Sequence, residues 1–353
     1  MNFTELFTPA AVAANWEEMN ANQAAYLGSA LFPARKKAGL DLAWIKGFKG
    51  LPVVLAPSAF DAKARFRDRI GVSKVETEMP FFREGYLIKE KDRQEMLRAQ
   101  DAKDPYAVAV MERIFDDARE LVDGANVVPE RMIWQLLAPE NGTPGIAINA
   151  HGVDYTYNYD PDGTWKTNNY TELTDTAWNN AATSKPITDL MAVKAAHEAR
   201  TGAKMVYAVM TRKTLNDMAK SEELKAVALS LNPVASVIFT EQIVKNVVAS
   251  VLGLTILTYD NRFVDEAGVA TQFMPDNIVT LLPEGNLGET WYGTTPEEAD
   301  LMASNKAEVS IVNTGVALTR IVNAHPVNIE LYASEIVLPS FERMNEVAVV
   351  KVA

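Results

Sequence analysis

The sequence predicts an α+β fold with helices and strands mixed along the chain, and three patterns carry that reading. Apolar residues recur at helical spacing around Tyr106, Val110, Ile114 and Leu121, with charged residues between them. Residues 146–159 (IAINAHGVDYTYNY) alternate as a strand does. The tail, residues 309–350, reads as mostly extended and ends in VAVVKV.

Taken in order, residues 1–38 hold small apolar and polar side chains around a few large anchors, Trp16, Tyr26, Leu27, Leu31 and Phe32, and read as an arm. A short helix is expected from about residue 9 to 20, and Pro33 ends any helix that follows, because proline has no N–H to donate. Residues 39–88 are rich in turn formers (Gly47, Gly50, Pro52, Pro57, Gly71) and read as a long two-stranded excursion. An isolated hairpin of that length is marginal in water, so it is expected to lean on another subunit. Asp104 before Pro105 starts a helix that runs to Gly124, and Pro129 starts a second helical stretch ending before Pro139. After the turn at Asp162 and Gly163 comes a short strand. Then follow a helix from Pro186 through Arg200, a strand over 205–210, a helix capped by Thr211, and strands over 254–259 and 278–282.

The chain has 353 residues, 48% of them hydrophobic and 23% charged, which is enough to bury a sizeable core. It has no cysteine, which excludes disulfides, thiolate metal sites and a cysteine nucleophile. No basic stretch precedes an apolar run near Met1, as a signal peptide needs, and the most apolar window, residues 243–257, is broken by Lys245 and Asn246, so a soluble protein is expected. The net charge of -12 opposes tight binding of nucleic acid. The charge is unevenly spread: residues 35–74 carry ten basic and three acidic side chains, a local excess of +7 that leaves -19 for the remainder. This basic island reads either as a solvated hairpin or as an arm that docks on an acidic surface of a neighbouring copy.

The motifs of chemistry are missing or broken. There is no Walker loop, no glycine fingerprint of dinucleotide sites and no Gly-x-Ser-x-Gly turn. His197 and Glu198 begin like a zinc-protease helix, but Thr201 stands where the second histidine belongs, and His197 reads as helix surface. Asn158, Asp160, Asp162 and Gly163 match half a calcium loop, yet position twelve is Asn169 in place of a bidentate Glu, so a hairpin turn is favoured. Tyr155, Tyr157 and Tyr159 share one face of a strand and read as a packed or inter-subunit face, there being no basic residues beside them to hold a nucleic acid. Thr295 to Asp300 (TPEEAD) resembles a capped helix start. The sequence thus offers no catalytic, cofactor-binding or metal-binding set. The competing reading from another class is a carboxylate-based α+β enzyme using Asp260, Asp265 and Glu266.

Three stretches, in order, resemble the lambda-type major capsid protein family of tailed bacteriophages. They are GLTILTYDNRFVDEAG (253–268) with FMPDNIVTLLPEG (273–285) and WYGTTPEEAD (291–300); Trp178 followed by KPITDL; and the ending LPSFERMNEVAVVKVA. FMPDN is the most specific of these. The resemblance implies a Hong Kong 97 type capsid fold: an N-terminal arm (1–38), an extended loop (39–88), a peripheral domain with a spine helix (89–185), an axial domain (186–305), and C-terminal strands returning to the peripheral domain (306–353). It implies a non-enzymatic major head protein located in the virion and assembled in the bacterial cytoplasm. Such a protein pairs with itself as pentamers and hexamers, and encloses double-stranded DNA without sequence-specific contacts and without a membrane. Its further partners would be a portal and a separate scaffolding protein, the latter because no charged helical prefix precedes the arm, with a decoration protein as an additional candidate. A nanocompartment shell of the same fold is the alternative. Arg65, Arg67 and Arg69 of the basic segment, with Trp16 and Phe32 of the arm, are the expected contacts to neighbouring copies.

Overall fold

The structure is a computed structural model and describes residues 8–20, 26–46, 73–90, 94, 105–231, 240–301, 307–325 and 327–353. Along these residues the helices are α1 (Pro9–Asn20), α2 (Leu27–Leu31), α3 (Pro105–Leu137), α4 (Thr164–Asn169), α5 (Pro186–Thr201), α6 (Arg212–Lys220), α7 (Glu222–Leu231) and α8 (Glu241–Leu252). The strands are β1 (Ala34–Lys36), β2 (Asp41–Lys46), β3 (Ser73–Glu78), β4 (Phe81–Ile88), β5 (Gly145–Ala150), β6 (Val153–Asn158), β7 (Tyr170–Glu172), β8 (Met205–Met210) and β9 (Thr255–Thr258). They continue with β10 (Arg262–Val264), β11 (Ala270–Gln272), β12 (Ile278–Pro283), β13 (Glu289–Tyr292), β14 (Glu308–Val312), β15 (Val316–Ala324), β16 (Val327–Ser340) and β17 (Ala348–Lys351). The chain divides into two compact units, Met1–Ala43 with Glu76–Arg131 and Gly288–Ser340, and Trp44–Val75 with Met132–Leu287 and Phe341–Ala353.

In the first unit β16 is the central strand. It pairs antiparallel with β15 over its first half and with β13 at its end, while β4 lies along its other edge, from Ile88 opposite Ile329 to Phe81 opposite Ile336. β14 extends the sheet beyond β15, and β1 joins β13 in parallel. Side chains alternate across a strand, so Leu318, Leu331 and Ala333 fall on one face. There they pack with Val312 and Val316, Ala118, Leu121 and Val122 of α3, and Val12 and Ala13 of α1.

The second unit is built on a five-stranded sheet in the order β7-β17-β12-β8-β9. β8 and β9 run parallel, with α6, α7 and α8 between them in sequence, whereas β12 is antiparallel to both β8 and β17. All six residues of β12 are buried, as befits a central strand of an aliphatic run. Its helices cover the sheet through Leu190, Leu215, Val244 and Val248. An aromatic row, Trp134 stacked on Tyr259 at 4.6 Å, then Phe273 and Phe263, anchors the base of the β10–β11 hairpin.

The residues of the capsid-like motifs have defined work here. Asp276 of FMPDN accepts the Thr211 hydroxyl at 2.7 Å, and Thr211 in turn caps α6 by accepting the Thr214 N–H. Asn277 sits at φ 64, where Asn is tolerated, and its carbonyl accepts the Val352 N–H. Trp178 is buried and donates its indole N–H to Asp189, the acid of KPITDL, at 3.2 Å. Glu223 accepts the Ile187 and Thr188 N–H groups, satisfying the exposed donors at the start of α5.

Several expectations are corrected. The helix does not break between Gly124 and Pro129: α3 is continuous for 33 residues with Pro129 inside it. A proline within a helix costs about 3 kcal/mol. That cost is outweighed by burial of Leu121 and Val122 before it and Met132, Ile133, Trp134, Leu136 and Leu137 after it, each large buried side chain contributing about 1.5–3 kcal/mol. The Leu137 carbonyl at the helix end accepts the Thr280 hydroxyl at 2.8 Å. Residues 146–159 form two strands, because His151 (φ 50) and Gly152 (φ 82) make a two-residue turn that matches the twist of β5 and β6. The turn at Gly163 leads into α4 before β7; the two Asp160 oxygens accept the Trp165 and Lys166 N–H groups and so serve the first turn of that helix. Finally, His197 is buried, not on a helix surface, and burial with Arg200 nearby depresses its pKa to about 4, leaving it neutral. The proposed cap Asp104 lies outside the described residues, as does most of the 39–88 excursion; its flanks, β2 and β3, pair with each other.

One group in the first unit runs against ordinary burial rules. Glu335 on β16 is 1% exposed, and among the described residues neither carboxylate oxygen has a hydrogen-bond partner. Burial therefore raises its pKa well above the carboxylate range. The folded chain holds that proton at pH values where the unfolded chain has lost it, so the group's favourable contribution is complete in acid and is lost as pH rises through the raised value. Glu335→Gln is expected to raise the melting temperature at pH 8 and to leave it nearly unchanged at pH 4, read by differential scanning calorimetry.

Candidate assembly interface

The long helix α3 gathers the N-terminal segment by two carboxylates spaced seven residues apart, two helical turns, on one side of the helix. Asp123 accepts the indole N–H of Trp16 on α1 at 2.7 Å. Glu130, 1% exposed, accepts the backbone N–H groups of Gly28 at 3.0 Å and Ser29 at 3.2 Å, the otherwise unsatisfied donors at the start of α2. Tyr26, between Trp16 and Gly28 in the chain, senses both acids: burial, with the charges of Asp123 and Glu130 adding to it, pushes its phenol above the ordinary range. A Cβ at Gly28 would overlap the Glu130 carboxylate, so a larger residue there requires that carboxylate to move.

Of the residues singled out from sequence, Trp16 is thus half-buried against the first-unit core and tied to α3. Phe32 is 1% exposed, its ring against Gly288 and its carbonyl accepting the Thr290 hydroxyl at 3.0 Å, so its side chain is committed to its own chain. Arg65, Arg67 and Arg69 lie outside the described residues. Tyr155 and Tyr157 lie half-buried on one face of β6, and Tyr159, just beyond it, is buried.

On the opposite face of the first-unit sheet a second polar cluster pins the turn that follows β13. Glu297, 1% exposed, accepts from the Arg83 guanidinium and from the Ser334 hydroxyl at 2.9 Å, while neighbouring Glu298 pairs with Lys36 at 2.6 Å. Arg83 also lies over the rings of Phe81 and Tyr332 at 4.9 and 5.3 Å. This is the TPEEAD stretch: Thr295 accepts the Glu298 N–H, as a capped start requires, and a five-residue π-helical turn follows. The sequence marks Glu297 only as part of that capped start and, with Glu298, as a slight metal candidate; Glu130 it does not mark at all. The only local signal was Glu130 next to Pro129, and nothing in the sequence connects it with Gly28, a hundred positions away.

Two of the three carboxylates of the competing enzyme reading, Asp260 and Asp265, accept backbone N–H groups. Asp260 accepts the Arg212 N–H at 2.8 Å at the start of α6, and Asp265 accepts the Ala267 and Val269 N–H groups in the β10–β11 turn. Among the described residues no three acidic or histidine side chains are grouped to hold a metal ion, and no helix is long and apolar enough to cross a membrane.

A model of the family phage major capsid protein E matches residues 8–352, nearly the whole chain. The protein belongs to that family of phage shell subunits. Two solved structures share its fold. One is a prophage protein of E. coli CFT073 assigned as a capsid protein (TM-score 0.60, 11% identity, covering 100% of this chain and 99% of the other). The second is a phage-related protein of Bordetella bronchiseptica RB50 (TM-score 0.55, 12% identity, 98% and 97% covered). No curated protein matches. The fold is accordingly the Hong Kong 97 type, and the chain is a structural capsid protein of an icosahedral phage shell.

The carboxylate anchors give a direct expectation. Gly28→Ala forces Glu130 away from both N–H groups; charge-assisted hydrogen bonds of this kind are worth about 1.5–3 kcal/mol each. The variant is expected to lose at least about 2 kcal/mol in urea denaturation, with limited proteolysis cutting first near the N-terminal segment.

Proposed function

We propose that the chain is the major head protein of a tailed double-stranded DNA bacteriophage, assembling from pentamers and hexamers of itself in the host cytoplasm. The observation that carries this reading is the match to the capsid family over residues 8–352. In this reading residues 1–38 are the arm, 39–88 the extended loop, 89–185 the peripheral domain, 186–305 the axial domain, and 306–353 the returning strands. A separate scaffolding protein and a portal are its assembly partners, and a decoration protein is a further one. A shell must fit one sequence into slightly different surroundings, which rigid units joined with extended segments allow. The net charge of -12 suits a wall that encloses DNA without gripping it, since close phosphate contacts need Lys and Arg. The basic excess of residues 35–74 is the exception, and is directed at neighbouring copies.

Negative-stain electron microscopy of the purified protein, expressed alone and with its scaffolding candidate, tests the proposal. Closed isometric shells or regular capsomers are expected; a monodisperse monomer or dimer under both conditions would contradict it.

A further inference from the structure

The β5–β6 hairpin of the second unit is a sheet of two strands with one edge closed and the other open. Its inner face is packed: Ile146 and Ile148 are buried, and their cross-strand partners, Tyr157 and Tyr155, lie half-buried beside them. The edge of β5 is closed by α3. The Gln135 side-chain amide donates to the Ala147 carbonyl at 3.1 Å and accepts the Ala147 N–H at 3.1 Å, as a neighbouring strand would. These two bonds also fix the phase of the ladder. Because Ala147 turns both main-chain groups outward, so does Thr156 opposite it, and by alternation so do Asp154 and Asn158. The bond from the Tyr159 N–H to the Pro144 carbonyl at 3.0 Å agrees with this phase. Asp154, Thr156 and Asn158 are exposed, and among the described residues β6 pairs with β5 alone, so its outer main-chain groups meet no strand.

The open edge is complementary to itself. When a second β6 is laid antiparallel to the first about a two-fold axis, all of the outward residues find partners only with Thr156 on the axis, facing its own counterpart. Asp154 then faces Asn158 of the second copy, and Asn158 faces Asp154, so no like charges meet. The Asn158 Oδ1 accepts the Asp160 N–H at 2.8 Å, which leaves the amide nitrogen to donate; the Asp154 Oδ1 accepts the Thr156 hydroxyl at 2.7 Å, which leaves Oδ2 to accept. On the inner face the same register sets Tyr155 opposite Tyr157 of the second copy, an aromatic cross-strand pair repeated by the symmetry. We propose that the outer edge of β6 is a self-pairing surface, joined antiparallel to β6 of a second copy across a two-fold axis, so that two such hairpins form one continuous sheet. An icosahedral shell is crossed by two-fold axes, and a contact on such an axis is made by one patch with itself. Main-chain bonds supply the attraction, and the pairs of Asp154 with Asn158 set the register. The inference rests on the capsid reading and deepens it by naming a surface for one class of contact between copies.

The chain has no cysteine, so a single introduced one reports on the axis without competition. In a hydrogen-bonded antiparallel pair the Cα atoms stand about 5.5 Å apart, within reach of a disulfide. After mild oxidation, assembled T156C is expected to run mostly as a covalent dimer on a non-reducing gel, whereas N149C, exposed on the closed edge of the same hairpin, stays monomeric. T156C that remains monomeric, or both variants crosslinking alike, overturns the proposal. A charge exchange tests the register. N158D keeps an acceptor for the Asp160 N–H but sets carboxylate against carboxylate at each two-fold, and is expected to lower the yield of shells about tenfold at low salt; D154N/N158D, in which an acid again faces an amide, is expected to recover it. A yield unchanged by N158D, or not recovered by the double variant, overturns the pairing while leaving the capsid reading intact. Thermal melts by circular dichroism check that the variants fold, and if N158D melts early the crosslink decides. Failure of the unaltered chain to form shells overturns the capsid reading, and crosslinking of T156C in concentrated free protein then decides the pairing alone.

Discussion

The carboxylate of Glu130 and the two backbone N–H groups it accepts join the N-terminal segment to the long helix α3, and much of the first unit follows from that attachment. A buried carboxylate is stable only when its lone pairs are satisfied, and the start of a helix offers N–H donors that have no partner within the helix. Each group thus satisfies the other's need. Held there, and by Trp16 on Asp123 two turns earlier, the segment delivers Val12 and Ala13 to the apolar face formed by Leu318, Leu331 and Ala333. The first-unit core is therefore completed by residues that lie more than a hundred positions from the strands they cover.

Two kinds of polar burial coexist in the sheet that α3 packs on. Glu297 is fully engaged by Arg83 and Ser334 and fixes the turn after β13. Glu335, on the other face of β16, has no partner among the described residues, and is tolerated as the neutral acid. A satisfied network specifies one arrangement, whereas an unsatisfied acid leaves stability sensitive to pH. The two acids differ in nothing that the sequence around them displays; the difference comes from which face of one strand each meets.

The most legible parts of the molecule were those in which the signal is local. The helix from Pro186, the strand over 205–210 and the Thr211 cap follow from spacing and capping chemistry, and the resemblance carried by FMPDN and Trp178 with KPITDL corresponds to side chains that tie strands to helix starts. Less legible was anything decided by distant packing. Pro129 and Gly124 are helix-breaking signals by themselves, and only the burial of Trp134 and its neighbours overrides them. His197 looked like surface because its helix neighbours are polar, and the Gly28 to Glu130 bond joins two residues with no sequence relation. The turn at His151 and Gly152 was readable in principle, since a glycine between two alternating runs is a hairpin signal, but the unbroken alternation on both sides masked it.

Amide hydrogen exchange of the full-length protein, resolved at Gly28 and Ser29, tests most directly whether Glu130 holds the N-terminal segment. With Glu130 in place both amides exchange slowly, at rates comparable to the buried part of α3. In Glu130→Ala they are expected to exchange at nearly the rate of free chain while Ala118 and Val122 stay protected. Slow exchange at Gly28 and Ser29 in that variant would contradict the attachment, and fast exchange throughout α3 would assign Glu130 to the helix itself instead of to the segment it holds.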